Sequence, residues 1–477
     1  MLHFLLVLII AIVVLVLMIV RFKVHPVMAL FIAGLGAGLG YGYGIGKAIS
    51  TFVGGFGATL GSIGCTIIFG SIIAMSIQDT GAIKTMVNFF IKLFRGKCLE
   101  LTTGLAAFVM SIPIFGDVTQ VLASPLAAII AKRKKMSMST MATWTTFAAS
   151  LTHSLIPPTP GILAVTIALG ADVGLMIFWS TMISLFTYLG VWLLMKKWVA
   201  VERIPPREDF TKGVEPVENG DYNQLLIKEP GIPPVIVAAL PILLPVVLIA
   251  AASFAGMNIA KDTPVLPADH PLRVFLAGAG ERNIAMFIGA AVCMITGFFM
   301  KDNIIKYYKI NTGEDCASIS EILFNKWVGR ALSIALLPLL ITAMGGGFSA
   351  IIRAYPGIDA LGKAISQYNF PGILIPWIIA AIMMIAVGSR TTAGMTAAAI
   401  VLPMSGGLGL SPLALALLIG SGSLIGSHVS DSGFWVGTQL YNLNTKQGFK
   451  YITLIQSIAG VLSLILVSIL IAARIIN

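Results

Sequence analysis

The sequence predicts an all-α polytopic membrane protein made of two inverted-topology repeats. Composition is the first reason, since 57% of the 477 residues are hydrophobic and 11% are charged, whereas soluble domains carry about 25% charged residues. Long apolar runs separated by short basic loops are the second. The third is a repeat, because His153 and His428 lie 275 residues apart within similar segments. About ten transmembrane helices, two re-entrant hairpins and two discontinuous helices are expected.

The charge pattern excludes the nucleic-acid partner that a net charge of +11 suggests in a soluble chain. The cations cluster in short loops between apolar runs, where Lys and Arg set the orientation of membrane proteins. The four cysteines are scattered without metal-ligand spacing. Free thiols, no bound metal and no cofactor are therefore expected.

The first repeat is expected to cover residues 1–195. Residues 1–20 form an unbroken apolar run that, at ~1.5 Å per residue, just crosses a hydrocarbon core of ~30 Å. The nearest charges follow this run instead of preceding it, so it is interpreted as the first membrane helix and not as a cleaved signal peptide. Further crossings are expected near 26–46, 52–78 and 173–195.

Two irregular segments interrupt this repeat. Residues 99–131 contain two apolar arms, each shorter than the ~20 residues of a crossing, on either side of Pro113–Asp117. This pattern predicts a re-entrant hairpin with Gly116 and Asp117 near its tip. Residues 138–169 have the length of a crossing, but three closely spaced prolines remove backbone donors from them. A discontinuous helix is predicted there.

A polar cytoplasmic linker is predicted at 196–231, and the second repeat at 232–477. Its hairpin is expected at about 372–404 and its discontinuous helix at about 412–440. The regular crossings of this repeat are expected near 232–255, 283–300, 327–350 and 450–473. An odd number of crossings in each repeat inverts one relative to the other, and the basic loops favour N- and C-termini outside.

Ser427–Trp435 is the most polar of the segments that lie between apolar runs. It carries a histidine, an aspartate and three serines. Ionisable groups at membrane depth face a cavity or a partner, and non-helical backbone persists there only where protein or water covers it. Glycines on both sides of the segment favour such a broken backbone. The alternative interpretation is a polar patch that only holds helices together.

This segment also carries a resemblance. Residues His428–Trp435 read His-Val-Ser-Asp-Ser-Gly-Phe-Trp and closely resemble the His-Val-Asn-Asp-Ser-Gly-Phe-Trp signature of the gluconate permease family. Ile112–Val118 resembles the first hairpin tip of that family, and Gly388–Thr391 resembles its second tip. His153–Gly161 is similar to its His-Gly-x-x-Pro-Pro-His-Pro-Gly segment. The resemblance covers most of the chain beyond residue 50.

The resemblance implies a secondary active transporter of the ion transporter superfamily in the bacterial cytoplasmic (inner) membrane. Family members are proton symporters, so symport of a small hydroxy-carboxylate or sugar acid such as gluconate by alternating access is expected. The implied partners are a small organic anion, protons and the lipid bilayer, and the superfamily implies a homodimer. D-serine, glycerate or a sugar–amino acid conjugate as the substrate, and sodium as the coupling ion, remain open alternatives.

Four residues depart from the pattern of the family. Thr159 stands where histidine is usual, Gly116 where an aromatic residue is usual, and Ser430 where asparagine is usual. Arg390 replaces a small residue at the second tip, while Met384 occupies the position where an arginine is expected. Because these positions lie in the expected site, they indicate a substrate preference away from the family norm.

The expected substrate-binding residues lie at hairpin tips and helix breaks. Half-helix N-termini and exposed amides favour anions there, and hydroxyl side chains bind substrate hydroxyls. The full set is Asp117, Val118, Thr119, His153, Ser154, Thr159, Pro160, Gly161, Gly388, Ser389, Arg390, Thr391, Thr392, Ser427, His428, Ser430, Asp431 and Ser432.

Charged members of this set carry the expected chemistry. Arg390 is expected to grip a substrate carboxylate through two donors, or else to pair with Asp117 or Asp431. Asp117 is the leading proton carrier, with a fixed acceptor at the hairpin tip as its alternative role. His153, His428 and Asp431 are the other proton-coupling candidates. The histidines are equally suited to bridging helices, and Asp431 to binding a cation or fixing the broken backbone.

Two other classes of protein fit less well. An anion channel also carries polar residues at the midplane, but inverted repeats with broken helices favour alternating access. His428 and the nearby serines suggest a base and a nucleophile. The chain has no Gly-x-Ser-x-Gly or His-Glu-x-x-His motif, however, so an enzyme is not expected.

Overall fold

The structure is a computed structural model, which describes residues 2–22, 24–113, 116–217, 222–256, 258–260, 263–316, 318–355, 372–428 and 431–476. In the first half the helices are α1 (Leu2–Val20), α2 (Pro26–Gly40), α3 (Ile45–Thr80), α4 (Ala82–Leu93), α5 (Leu99–Met110), α6 (Gly116–Lys134), α7 (Met138–Leu155), α8 (Pro160–Ala168) and α9 (Val173–Val199). They are followed by α10 (Glu208–Thr211), α11 (Val235–Gly256), α12 (Pro271–Ala279), α13 (Arg282–Phe299), α14 (Lys301–Thr312), α15 (Ile319–Glu321) and α16 (Trp327–Arg353). The last described helices are α17 (Leu374–Val387), α18 (Arg390–Val401), α19 (Ser405–Leu408), α20 (Pro412–Gly422), α21 (Ser432–Leu440), α22 (Thr445–Gly448) and α23 (Leu454–Ala472).

The all-α prediction is confirmed, with one small antiparallel ribbon beside the helices. β1 (Asn258–Ala260) pairs with β2 (Thr263–Pro264) between α11 and α12. Short 3-10 turns at Tyr222–Gln224 and Leu402–Met404, and π-helical turns at Ile322–Lys326 and Phe449–Thr453, complete the regular structure that is described. The ribbon pairs so few residues that the architecture stays helical.

Four described helical segments have the length and apolar composition of a membrane crossing: Val173–Val199, Val235–Gly256, Arg282–Phe299 and Thr445–Ala472. A fifth crossing is formed if the two halves of α3, which are inclined at 44°, count as one span. Several other apolar helices are shorter, including α5, α17 and α20. A total of ten crossings, the re-entrant path of the hairpins and the inversion of the repeats therefore stay predictions.

Both expected hairpins consist of two helices joined by a short turn. α5 and α6 flank the first turn, of which residues 114–115 lie outside the described part. α17 and α18 flank the second. Gly388 ends α17 with a φ of +67°, a left-handed conformation that glycine adopts without strain. Ser389 then caps α18 by accepting a hydrogen bond from the backbone amide of Thr392 at 3.4 Å.

Two breaks separate α7 from α8 and α20 from α21. α7 ends at Leu155 and α8 begins at Pro160, because the proline run of the intervening segment offers too few backbone donors to continue a helix. α20 ends at Gly422 and α21 begins at Ser432. Residues 429–430 of this second break lie outside the described part. Helix ends, with their unsatisfied backbone groups, are thus brought to the interior of the protein.

The buried apolar side chains form two large clusters. One contains residues of the first hairpin together with α4, α7 and the C-terminal half of α3. The other contains residues of the second hairpin together with α1, α2, α8 and α20. The two helices α7 and α8, on either side of the first break, therefore belong to different packing units.

The described residues of the predicted polar linker, 196–217 and 222–231, pack on the helices. α9 runs four residues into it, α10 lies within it, and the side chain of Leu225 is fully buried. Glu229 pairs with Lys84 of α4 and, at 3.2 Å, with Lys306 of α14. Charged residues of the linker therefore hold it against α4 and α14.

The carboxylate of Asp79 fixes the C-terminal end of α3 to α14 and α16. Its Oδ1 accepts a hydrogen bond from Nδ2 of Asn311 at 2.7 Å. Its Oδ2 accepts from Nε1 of Trp327 at 2.7 Å and from Nη1 of Arg330 at 2.6 Å. The side chain of Asp79 is fully buried, and that of Arg330 is 22% exposed. Nη2 of Arg330 also donates to Oε1 of Gln78 at 2.8 Å.

Candidate functional site

Arg390 and Asp431 form a buried ion pair between two helix N-termini. Arg390 is the first residue of α18, and Asp431 is the N-cap of α21. Nη1 of Arg390 lies 3.0 Å from Oδ2 of Asp431, and the two side chains are 6% and 3% exposed. Of the partners that the sequence left open for Arg390, the structure shows Asp431. An opposite charge at this distance offsets the large desolvation cost of each group.

The second terminal nitrogen of Arg390 is also bound. Nη2 donates to Oγ of Ser427 at 3.2 Å and to Oε1 of Gln456 at 2.6 Å. Gln456 in turn donates from Nε2 to Oγ of Ser150 at 3.0 Å. The hydroxyl of Ser427 donates to Oδ2 of Asp431. One network thereby joins α7, α18, α23 and the second helix break.

Beside Gly433 a third charged residue, Asp117, comes close to the pair of Arg390 and Asp431. Its amide donates to Oδ1 of Asp431 at 3.0 Å, the usual bond of an N-cap aspartate. A Cβ on Gly433 would lie 2.9 Å from Oδ1 of Asp117, 3.4 Å from Oδ1 of Asp431 and 3.5 Å from Nη1 of Arg390. Two carboxylates and a guanidinium therefore surround one glycine, which is small enough to let them approach.

A closed cavity borders Arg390 on the side of the first helix break. Its lining includes His153, Ser154, Gly161 and Arg390. Its volume of about 10 Å³ suffices for roughly one water molecule. Nε of Arg390 and Oγ of Ser154 are buried and have no hydrogen-bond partner among the described residues. Buried polar atoms are nearly always satisfied, so these two groups indicate a place for an oxygen-bearing molecule.

The first helix break shapes the wall of this cavity. The hydroxyl of Thr159 donates to the carbonyl of Ile156 at 2.6 Å and lies 3.3 Å from that of His153, so it satisfies the last turn of α7. Pro160 occupies the first turn of α8, where its missing amide proton is not needed. Gly161 packs against Thr391, since a Cβ there would lie 2.9 Å from the Thr391 Cα.

The structure brings some of the expected residues together and not others. Arg390, Ser427 and Asp431 are in direct contact, and Asp117 meets them at Gly433. His153, Ser154 and Gly161 share the cavity with Arg390. The hydroxyls of Thr159, Ser389 and Thr392 are instead engaged in local turns.

The remaining expected residues are peripheral or only partly described. Val118 is partly buried in an apolar cluster, and Thr119 is fully buried. His428 is half-buried and is not among the described residues that line the cavity. Ser430 lies outside the described residues, and of Ser432 only the backbone is described.

Three residues of the network were not expected from the sequence: Gln456, Ser150 and Gly433. Gln456 was detectable, because it is a bulky polar side chain in an otherwise apolar crossing helix, where polar groups are costly without partners. Ser150 has no such signal, since serine packs readily between membrane helices. Gly433 stood within the polar segment, but its close contact with Asp117 depends on the packing of α21 against α6.

Comparisons with known proteins agree with this architecture. The family model described as GntP family permease matches residues 3–473. A gluconate permease of Pseudomonas aeruginosa is 29% identical over 95% of this chain and 94% of its own. The D-serine transporter DsdX of Escherichia coli is 30% identical over 96% of each chain.

A solved structure is also similar to this one. The YdaH transporter of Alcanivorax borkumensis superposes with a TM-score of 0.56 over 90% of this chain and 89% of its own, at 14% identity. At such low identity the match shows a shared fold and no more. The family match spans nearly the whole sequence, and the relatives are permeases or transporters and not enzymes. This chain belongs to the GntP permease family and is a multi-pass membrane transporter.

Proposed function

We propose that the protein imports a small hydroxy-carboxylate across the bacterial inner membrane, together with a proton. Gluconate and D-serine, named in the descriptions of two relatives, both carry a carboxylate and at least one hydroxyl. The observation that carries the proposal is a pair of buried groups at one cavity, Nε of Arg390 and Oγ of Ser154, for which the described residues provide no hydrogen-bond partner. A guanidinium suits the carboxylate, and a serine hydroxyl suits a substrate hydroxyl.

Substrate and proton are coupled in this proposal because the substrate carboxylate competes with Asp431 for Arg390. In this structure the charge of Arg390 is balanced by Asp431 at 3.0 Å. A substrate carboxylate that binds Arg390 adds a second negative charge to the same buried space, which is unfavourable unless one carboxylate is neutralised. A proton on Asp431 restores the balance. One monovalent anion then enters with one proton.

Asp117 is the second candidate proton carrier in this scheme. Its Oδ1 lies close to Gly433, next to the pair, so a proton on either aspartate reduces the negative charge that faces the substrate. The sequence favoured Asp117 over Asp431. The direct contact of Asp431 with Arg390 now makes Asp431 the primary candidate, with His153 and His428 as further ones.

The described geometry corresponds to a closed state of the site. The cavity has room for roughly one water molecule, so a sugar acid requires the surrounding helices to separate. Two glycines pack closely between these helices. Gly161 lies against Thr391, and a Cβ on Gly420 would lie 2.8 Å from the carbonyl of Ser154. Alternating access would open here, by rocking or elevator-like movement of the hairpin-bearing parts.

Uptake into proteoliposomes under an imposed pH gradient tests the proposal. We expect an inward proton gradient to drive accumulation of radiolabelled gluconate or another small hydroxy acid. Uptake that requires sodium and ignores the proton gradient would refute proton coupling. Absence of trans-stimulation by unlabelled substrate would favour a channel instead of a carrier.

Arg390→Ala tests the grip on the carboxylate. We expect it to abolish the thermal shift that a saturating substrate gives in wild type, because the only cation of the network is lost. Ser421→Ala is the matched control, since the Ser421 hydroxyl donates only to the carbonyl of Leu417 within its own helix at 2.8 Å. An unchanged shift with Arg390→Ala would contradict the proposal.

D-serine is the second candidate substrate. It combines a carboxylate, a hydroxyl and an ammonium group, and Asp117 beside the pair would suit the ammonium. Competition of D-serine, glycerate and sugar–amino acid conjugates against labelled gluconate ranks these substrates directly. The homodimer and the outside location of both termini are tested by mass in detergent and by protease access to terminal tags.

A further inference from the structure

A second cavity lies away from the paired charges, where the end of α6 meets the segment that follows α9. Its volume of about 330 Å³ lies in the lower part of the range for small-ligand sites. Its basic lining residues are Lys132, Lys135 and Arg203. The other described lining residues are apolar, Met136 and Ile204 among them, and none of the described ones is acidic.

The three cations are exposed. Within the described residues, no carboxylate lies in ion-pair contact with Lys132, Lys135 or Arg203. The neighbouring Arg133 behaves differently, since its Nη1 donates to the carbonyls of Leu225 and Leu226 at 3.1 and 3.3 Å. Arg133 thus holds the linker, while Lys132 and Lys135 line the cavity.

The walls of the cavity are fixed by hydrogen bonds. The hydroxyl of Ser137 donates to the carbonyl of Glu202 at 2.6 Å, and the amide of Met138 donates to that of Ile204 at 2.9 Å. On the opposite side, the amide of Val217 donates to the carbonyl of Arg133 at 2.8 Å. The cavity is therefore preformed, which favours ligand binding because little ordering is required.

The backbone of Lys135 adopts a left-handed conformation. Lys135 ends α6 with a φ of +51°, and the amide of Met136 donates back to the carbonyl of Ala131 at 2.9 Å. Glycine is the usual residue at this position of a helix end because any Cβ is strained there. Glycine at this position would therefore relieve strain while removing the ammonium.

The position of the cavity indicates which kind of anion its basic residues bind. α9 is one of the four described helices that can cross a membrane, and Arg203 follows its end by four residues. Trp192 and Trp198 lie in the last turns of α9, with the ammonium of Lys196 4.2 Å from the Trp192 ring. Tryptophan and lysine at the end of a crossing mark the headgroup region of the bilayer.

We infer that this cavity binds the phosphate of an anionic phospholipid headgroup, with the apolar lining against the glycerol and first methylenes. Basic pockets at the ends of membrane helices bind such lipids through their phosphates. Each cation near the surface contributes roughly a fivefold gain in affinity. The site is separate from the paired charges and does not depend on the proposed transport chemistry.

Titration of the purified full-length protein in neutral detergent tests the inference. Phosphatidylglycerol should raise Tm with saturation, and phosphatidylcholine should not. Replacement of Lys132, Lys135 and Arg203 together by Gln should weaken the apparent affinity by roughly a hundredfold. The control replaces Lys196, Lys197 and Lys212 by Gln, which removes the same charge outside the cavity and should leave the affinity nearly unchanged.

Lys135→Gly separates binding from a structural role and covers the case in which the triple variant does not fold. Glycine relieves the left-handed strain and removes the ammonium, so Tm without lipid should not fall while lipid affinity falls roughly fivefold. Native mass spectrometry gives a second readout, as retained phosphatidylglycerol per protein.

Three results would overturn the inference. The first is an unchanged affinity in both Lys135→Gly and the triple variant. The second is an equal loss in the control, which would make the effect one of general surface charge. The third is an equal stabilisation by glycerol phosphate or inorganic phosphate at the same concentration, which would assign the cavity to a soluble anion.

Discussion

Two buried aspartate–arginine pairs among the described residues have different surroundings. Asp79 accepts hydrogen bonds from Asn311, Trp327 and Arg330, all within 2.7 Å, and joins three helix ends. Asp431 is bound to Arg390 at 3.0 Å, beside two helix breaks. Nε of Arg390 is buried beside a cavity and has no partner among the described residues, whereas the side chain of Arg330 is 22% exposed. The residue types are the same in the two pairs, but among the described residues only the pair of Arg390 has a buried donor without a partner beside a cavity.

This difference teaches that a buried ion pair alone does not indicate a functional site. A pair whose partners are all protein atoms stabilises one arrangement of helices. A pair beside a cavity, with a buried donor that has no partner among the described residues, has a donor that a ligand could bind. The following predictions test that contrast, from the largest expected effect to the smallest.

Asp79→Ala should have the largest effect on stability. It leaves the guanidinium of Arg330 and the indole of Trp327 without their acceptor in a buried place, so the free energy of unfolding should fall by about 3–5 kcal/mol. Denaturant unfolding in detergent measures this. The control is Asp315→Ala, whose 2.7 Å pair with Lys309 is exposed and should contribute under about 1 kcal/mol. Equal effects of the two substitutions would contradict the role given to Asp79.

Asp431→Asn should change transport more than stability. The amide keeps the size of the side chain but removes the charge that competes with substrate for Arg390. Substrate affinity should then rise by roughly tenfold or more, because hydrogen bonds to charged groups contribute about 1.5–3 kcal/mol. Accumulation should no longer respond to the proton gradient.

Asp79→Asn is the matched control for that variant. It makes the same chemical change in the other buried pair and should lower Tm without altering substrate affinity or proton dependence. Proteoliposome uptake with and without a pH gradient, together with binding in detergent, measures both variants. If Asp431→Asn transports with normal proton dependence, Asp431 is not the proton carrier and Asp117 becomes the candidate to test.

Gly433→Ala should weaken substrate binding roughly tenfold, through a packing strain of about 1–3 kcal/mol. The added methyl group would lie 2.9 Å from Oδ1 of Asp117 and must displace it from the pair. Gly36→Ala is the control, because Gly36 is also helical and a Cβ there meets nothing within 4 Å. Wild-type affinity in Gly433→Ala would show that Asp117 has no part in the site.

Loss of the ion pair of Glu229 should have the smallest effect on stability, and this effect should depend on pH. Burial raises the pKa of this carboxyl, but hydrogen bonds from Lys84, Tyr307 and Lys306 outweigh it and lower the pKa from 4.5 to about 2. A lowered pKa means that the ionised form stabilises the folded state. Its contribution, under about 1 kcal/mol for a partly exposed pair, is complete above pH 4.5 and is lost as the pH falls towards 2.

Comparison of Tm for wild type and Glu229→Gln between pH 2 and 7 measures this contribution. The difference should be constant near neutrality, shrink below pH 4.5 and vanish near pH 2. A difference that stays constant over the whole range would show that the charge of Glu229 does not matter.

Much of the fold was predictable because its signals are local. The closely spaced prolines after Leu155 and the glycine at 388 stop helices through their own backbone geometry, so α7 and α17 end next to these residues. The packing of the linker was not foreseen, because a polar composition does not show which of its residues form ion pairs. The ribbon β1–β2 was missed because two or three paired residues leave no periodic pattern.

The sequence by itself determined the membrane class and the family, since the composition and the 428–435 motif are read without any long-range contact. It also supplied the charged residues Asp117, Arg390 and Asp431. Only the tertiary structure decided that Arg390 pairs with Asp431, that Gln456 and Ser150 extend the network, and that Gly433 admits Asp117. These contacts join residues that lie tens to hundreds of positions apart in the sequence. Their distances are set by the packing of helix ends, and no local pattern encodes that packing.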